Sequence, residues 1–131
     1  MRFIAVLIVS LMFTGCINKH LKDAEDIFGY SLNDKVEYLS EEEKWNDFNG
    51  NGFKVEIYEI IDLNYFKDKS SDKNFKSFNF KDNNNPLGNT DYSKYIQNGS
   101  GYYKTIWFEN KIKTIVVDTT NNKFLFYYSL M

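Results

Sequence analysis

The sequence predicts an α+β fold: a short N-terminal helix packed on an antiparallel sheet of about four or five strands, closing in a three-stranded meander. Three observations carry this. Apolar residues recur at helical spacing between Leu21 and Phe28, they alternate with polar ones from Phe53, and three strand-like runs follow Tyr102 across short turns.

In chain order, Asn18 is placed to cap a helix running to about Phe28. Leu21, Ala24, Ile27 and Phe28 fall on one face, and Gly29 stands where a helix stops. Val36 to Leu39 reads as a short strand, and the acidic Glu41-Glu42-Glu43 that follows suits a solvated turn or edge. From Phe53 to Ile61, Phe53, Val55 and Ile57 alternate with Lys54, Glu56 and Tyr58, a strand pattern preceded by two Asn-Gly pairs that signal a hairpin turn. Residues 62–98 are weakly patterned. Lys67–Lys73 and Lys81–Asn89 read as polar loops, with Phe75, Phe78 and Phe80 pinning the segment to the core.

The last third is the most legible. Tyr102–Phe108, Ile112–Asp118 and Lys123–Leu130 form strands joined at Glu109-Asn110 and at Thr119–Asn122. A four-residue second turn sets Val117 opposite Phe124 and Ile115 opposite Phe126, so Ile115, Val117, Phe124, Phe126 and Tyr128 line the core face. Val116, Leu125 and Tyr127 make the other face apolar too, which calls for a helix or a partner over it.

The first residues have a different character. Arg2 precedes an uninterrupted run, Phe3–Phe13, in which only Ser10 is weakly polar. As a helix this run would rise about 16 Å, roughly half of a bilayer's hydrocarbon, so it suits the core of a secretion signal and not a membrane span. Phe13-Thr14-Gly15-Cys16 resembles the lipobox of bacterial lipoproteins: Gly15 and Cys16 match, Thr14 is an accepted variant, and Phe13 stands where Leu is usual. The resemblance implies cleavage after Gly15, a diacylglyceryl thioether on the Cys16 sulfur, and in many bacteria acylation of the new amino group. Cys16 is the only cysteine, so no intrachain disulfide competes for it. Two or more acyl chains anchor stably where one binds marginally. Ile17 is not the Asp that resembles an inner-membrane retention signal, which favours the outer membrane in a host that has one. The expected organisation is 1–15 signal peptide, 16–20 lipidated Cys16 and tether, and 21–131 one α+β domain of the cell envelope.

Composition narrows function. Sixteen basic residues, among which Arg2 is the only arginine, face eighteen acidic ones. Without a basic face, nucleic acid is not an expected partner. The loop Asp47-Phe48-Asn49-Gly50-Asn51-Gly52 has the oxygen spacing of a calcium loop at Asp47, Asn49 and Asn51. It holds one carboxylate, though, and Tyr58 occupies the position of the closing Glu, so a plain turn is the stronger reading. His20, the sole histidine, reads as a tether residue, and no metal or other cofactor is expected beyond the lipid on Cys16. Asn98-Gly99-Ser100-Gly101 precedes a strand, not the helix that a phosphate loop needs. Asp62, Glu109 and Asp118 are the carboxylates available to a hydrolase, each at a strand end or turn.

Aromatic content stands out, at 18% with ten tyrosines. Tyr and Trp give large contact areas with few rotors, and they also stack on sugar rings. The leading expectation is a non-enzymatic protein-interaction module, immunity- or inhibitor-like or an envelope accessory protein, contacting a protein partner through Tyr102, Tyr103, Trp107 and Tyr127. A glycan- or peptidoglycan-binding lipoprotein is the alternative, and a carboxylate hydrolase the third reading.

Overall fold

A computed structural model describes residues 21–46 and 50–131. The signal segment, Cys16, the tether with Asn18 and His20, and Asp47 and Asn49 therefore lie outside the described residues.

The architecture is α+β, with two helices and one six-stranded antiparallel sheet. Helix α1 covers residues 21–28 and ends at Gly29, whose φ of 87° is cheap only for glycine and whose N–H reaches the Glu25 carbonyl at 2.7 Å. The strands are β1 (Val36–Trp45), β2 (Gly52–Ile60), β3 (Lys76–Asn79), β4 (Ser100–Phe108), β5 (Lys111–Asp118) and β6 (Lys123–Leu130). Helix α2 (Leu63–Ser70) follows β2, and a 3-10 turn (Ser93–Tyr95) precedes β4. In space the order is β1-β2-β6-β5-β4-β3, so β6, the last strand in the chain, lies between β2 and β5.

The expected register of the meander holds: Ile115 pairs with Phe126 and Val117 with Phe124. Two aspects depart from expectation. The sheet has six strands, because β1 continues through the acidic stretch to Trp45 and the four-residue β3 joins the far edge. The stretch expected as a polar loop at Lys67–Lys73 belongs largely to α2, where Asp62 caps the first turn by accepting from the Tyr65 N–H at 3.1 Å. The chain's many lysines and serines hid this helix, because only Phe66 and Ser70 of α2 are buried.

Both sheet faces are packed. On one face, α1, α2 and Phe75 cover Tyr58, Ile60, Ile115, Val117, Phe124 and Phe126. Phe28 sits among Phe66, Phe75 and Phe124, with ring centres 5.4, 5.6 and 5.8 Å away. On the other face no α-helix packs among the described residues. Leu87, Tyr92 and Ile96 from the irregular 80–99 connection, with Phe78, cover Val55, Ile57, Val116, Leu125 and Tyr127. The second apolar face predicted from the meander is thus closed largely by the segment that carries least pattern.

Candidate functional site

The loop-covered face is not closed along its whole length. Beyond Leu87 and Tyr92 the covering segment stops short of the β4–β5 hairpin and leaves a cleft of about 440 Å³, within the usual span of ligand pockets. Its floor follows from strand periodicity. Tyr103, Thr105 and Trp107 alternate along β4 and so share a face, opposite Val116, Thr114 and Ile112 of β5. Asn89, Thr90, Asp91 and Tyr92 form the facing wall, and Tyr127 of β6 closes the inner end.

Three of the four residues singled out from the sequence, Tyr103, Trp107 and Tyr127, therefore meet in one cleft. Tyr102 does not join them. Its side chain packs against the helix-covered core, and the residue lines a separate groove of about 550 Å³ with Ser77, Asn79, Asp82 and Asn85. That groove is larger, but its lining is mostly short polar side chains of turns and it holds no exposed ring such as Trp107.

Polar groups in the cleft are organised. The Tyr127 hydroxyl donates to Asp91 Oδ2 at 2.6 Å, and its ring lies 4.7 Å from that of Tyr92. The hydroxyls of Thr105 and Thr114 sit 3.0 Å apart across the strand pair. Burial raises the Tyr92 phenol to about 12, and burial together with the bond to Asp91 raises Tyr127 to about 12. Both phenols therefore remain protonated at any physiological pH. Trp107 is the most open large apolar residue of the described chain, 67% exposed.

Sequence reasoning missed Asn89, Asp91, Tyr92 and Thr114. Thr105 was legible from the alternation that places Tyr103 and Trp107, but nothing in the local pattern brings Asp91 and Tyr92 onto this face.

Two of the carboxylates considered for hydrolysis, Asp118 and Asp62, serve structural ends. Asp118 is fully buried and accepts from the Thr120 and Asn121 N–H groups and the Asn121 amide at 3.1, 3.0 and 2.9 Å, which shapes the β5–β6 turn. Asp62 caps α2 and pairs with Lys35 at 3.3 Å, and both contacts hold its carboxyl below the ordinary range, the Tyr65 N–H foremost. Glu109 is in the β4–β5 turn, at the opposite end of β5 from Asp118, so the two lie more than about 20 Å apart. That separation is too wide for a carboxylate pair acting on one bond.

Of the calcium-loop candidates only Asn51 is described, and its carbonyl accepts from the Asn46 N–H at 2.7 Å as the β1–β2 hairpin closes. Among the described residues no group of three or more His, Cys, Asp or Glu is placed to hold a metal ion, and no helix is long and apolar enough to cross a membrane. No protein-family model, curated protein or solved structure matches this chain.

Proposed function

We propose that this chain is a membrane-anchored extracytoplasmic lipoprotein that acts as a non-enzymatic interaction module, with the cleft between β4–β5 and the Asn89–Tyr92 wall as its contact site. The observation that carries the reading is the convergence of Tyr103, Trp107 and Tyr127 beside Asp91 in one open cleft. Buried, satisfied side chains fill most of the sheet, whereas Trp107 spends exposed area for no packing return.

The lipobox resemblance at Phe13–Cys16 supports the anchoring. Four residues lie between Cys16 and Leu21, a reach of at most about 18 Å when extended, so a lipid on Cys16 would hold the domain against the membrane surface. Such a module would serve as an immunity or inhibitor protein or as an accessory subunit of an envelope complex. A walled cleft also accommodates a chain-like ligand better than it does the flat face of another protein.

Two measurements test the reading. Mass spectrometry of the protein purified from its own membranes should show the diacylglyceryl adduct on Cys16, and Cys16→Ala should release the protein from the membrane fraction. Binding, whatever the ligand, should be lost in Tyr103→Ala/Trp107→Ala while the fold is retained. An unmodified, membrane-free wild-type protein would sink the anchoring, and ligand binding indifferent to the double substitution would sink the site.

A further inference from the structure

We infer that the ligand of this cleft is a carbohydrate, an extended glycan of pyranose rings laid along β4 across Tyr103, Thr105 and Trp107; this rests on the interaction-module reading above. The row is straight because a strand is straight, and its two rings stand about 13 Å apart, the length of a short run of sugar rings and not of one. Trp107 is 67% exposed and offers a ring face to the C–H side of a pyranose, while Tyr103 is half-buried against the core of this face and presents the rest of its ring to the cleft.

Around these rings the side chains are those that pair with hydroxyls. Asn89, Thr90, Asp91 and Thr105 supply amide, carboxylate and hydroxyl groups at the same cleft, with the buried Thr114 holding the Thr105 hydroxyl from below. Asp91 uses Oδ2 on Tyr127 and leaves Oδ1 to accept from a ligand. Lys76 and Asp91 are its only charged lining residues, one of each sign, which disfavours a highly charged ligand such as a polyphosphate.

A peptide is the competing ligand, since β3 pairs with β4 only as far as Tyr103 and, among the described residues, no strand pairs the outer edge from Lys104 to Phe108. A peptide added there would extend the sheet in its own plane, beside the cleft, and would not touch Asp91. The polar wall thus favours sugar over strand addition.

The test uses the full lipidated protein in detergent with Trp45→Phe, which leaves Trp107 as the single tryptophan. Its emission is followed on addition of a β-1,4-linked N-acetylglucosamine hexamer, of cellohexaose, and of the coiled α-linked maltohexaose as control. The expected result is a saturable blue shift with one or both β-linked glycans and none with maltohexaose. A response to the N-acetylated hexamer alone indicates a cell-wall-type glycan, and a response to both indicates the plain sugar backbone. Calorimetry should then show roughly thirtyfold weaker binding for Trp107→Ala, and weaker binding for Asp91→Ala, with unchanged circular dichroism. No saturable response to either β-linked glycan at millimolar concentration overturns the proposal. If a protein co-purified from membranes is then lost in Trp107→Ala, the interaction-module reading survives without the sugar. If neither glycan nor protein binds, both fall.

Discussion

The hydroxyl of Tyr127 in β6 donates to Asp91 in the 80–99 connection at 2.6 Å, and this bond ties the central strand to the segment that covers the second face of the sheet. Tyr127→Phe keeps the ring against Tyr92 and removes the bond, while Asp91 is exposed and can turn to water. We expect a loss of about 1 kcal/mol in urea unfolding. Hydrogen exchange at residues 86–92 should quicken, with the opposite face unchanged. Equal quickening on both faces would show that the bond does not act locally.

The phenols predict an alkaline limit. Tyr92 and Tyr127 are raised to about 12 and Tyr58 is raised further, burial being the first cause in each. An unfolded tyrosine ionises near about 10, so the folded state retains protons that the unfolded state releases. The resulting stability is intact below about pH 10 and declines as pH rises through the folded values. A phenolate absorbance titration should show these tyrosines ionising late and together with loss of near-ultraviolet dichroism. Independent ionisation of all ten tyrosines near their ordinary value, with the fold intact, would contradict the packing.

Gly101 sits tight against β5. A Cβ placed there would stand 1.9 Å from the Val117 carbonyl oxygen, and backbone has little room to yield. Gly101→Ala should cost about 2–3 kcal/mol or more, read as a lowered urea midpoint with unchanged slope. A neutral result would mean that the two strands separate more easily than their register implies.

The β4–β5 turn holds a residue in an unfavourable conformation. Glu109 has a φ of 54°, at the first turn position, where tight hairpins usually place glycine. Glu109→Gly should raise stability by about 0.5–1 kcal/mol, and a higher melting temperature checks it. It leaves Trp107, and hence the cleft, untouched.

Phe124 is the hub of the helix-covered face. It is fully buried, with ring centres of Phe66, Phe28 and Tyr58 at 5.5, 5.8 and 6.1 Å. Phe124→Ala should cost about 3–5 kcal/mol, a large part of the stability of a domain this size. Denaturant unfolding measures it, and a loss under about 1 kcal/mol would mean that Phe28 or Phe66 collapses into the space.

What the sequence disclosed follows from how local each signal is. Register in the meander was legible because a four-residue turn and strict alternation determine which residues of β5 and β6 meet. Helix α1 was legible from Leu21, Ala24, Ile27 and Phe28, all buried. Helix α2 was not, because a helix that buries only Phe66 and Ser70 leaves almost no periodic trace. β3 escaped for a similar reason: one buried residue, Phe78, in four. For the cleft, Tyr103 and Trp107 could be paired from spacing alone. Asp91 and Tyr92 could not, since their place depends on how a turn-rich connection drapes over Val116 and Leu125, and no short-range rule governs that.

The position of β6 has a consequence for how the molecule comes into being. Within the sheet the β1–β2 hairpin and the β5-β4-β3 group are hydrogen-bonded together only through this strand, the last of the six to be synthesised. Until Lys123–Leu130 is available, β2 and β5 each present an unpaired edge, and the pairings of β6 with β2 span some seventy residues of sequence. Such late, long-range closure slows acquisition of the native state and favours completion all at once. For the exported lipoprotein proposed above, that delay would be an advantage: the chain would stay threadable until Lys123–Leu130 had emerged.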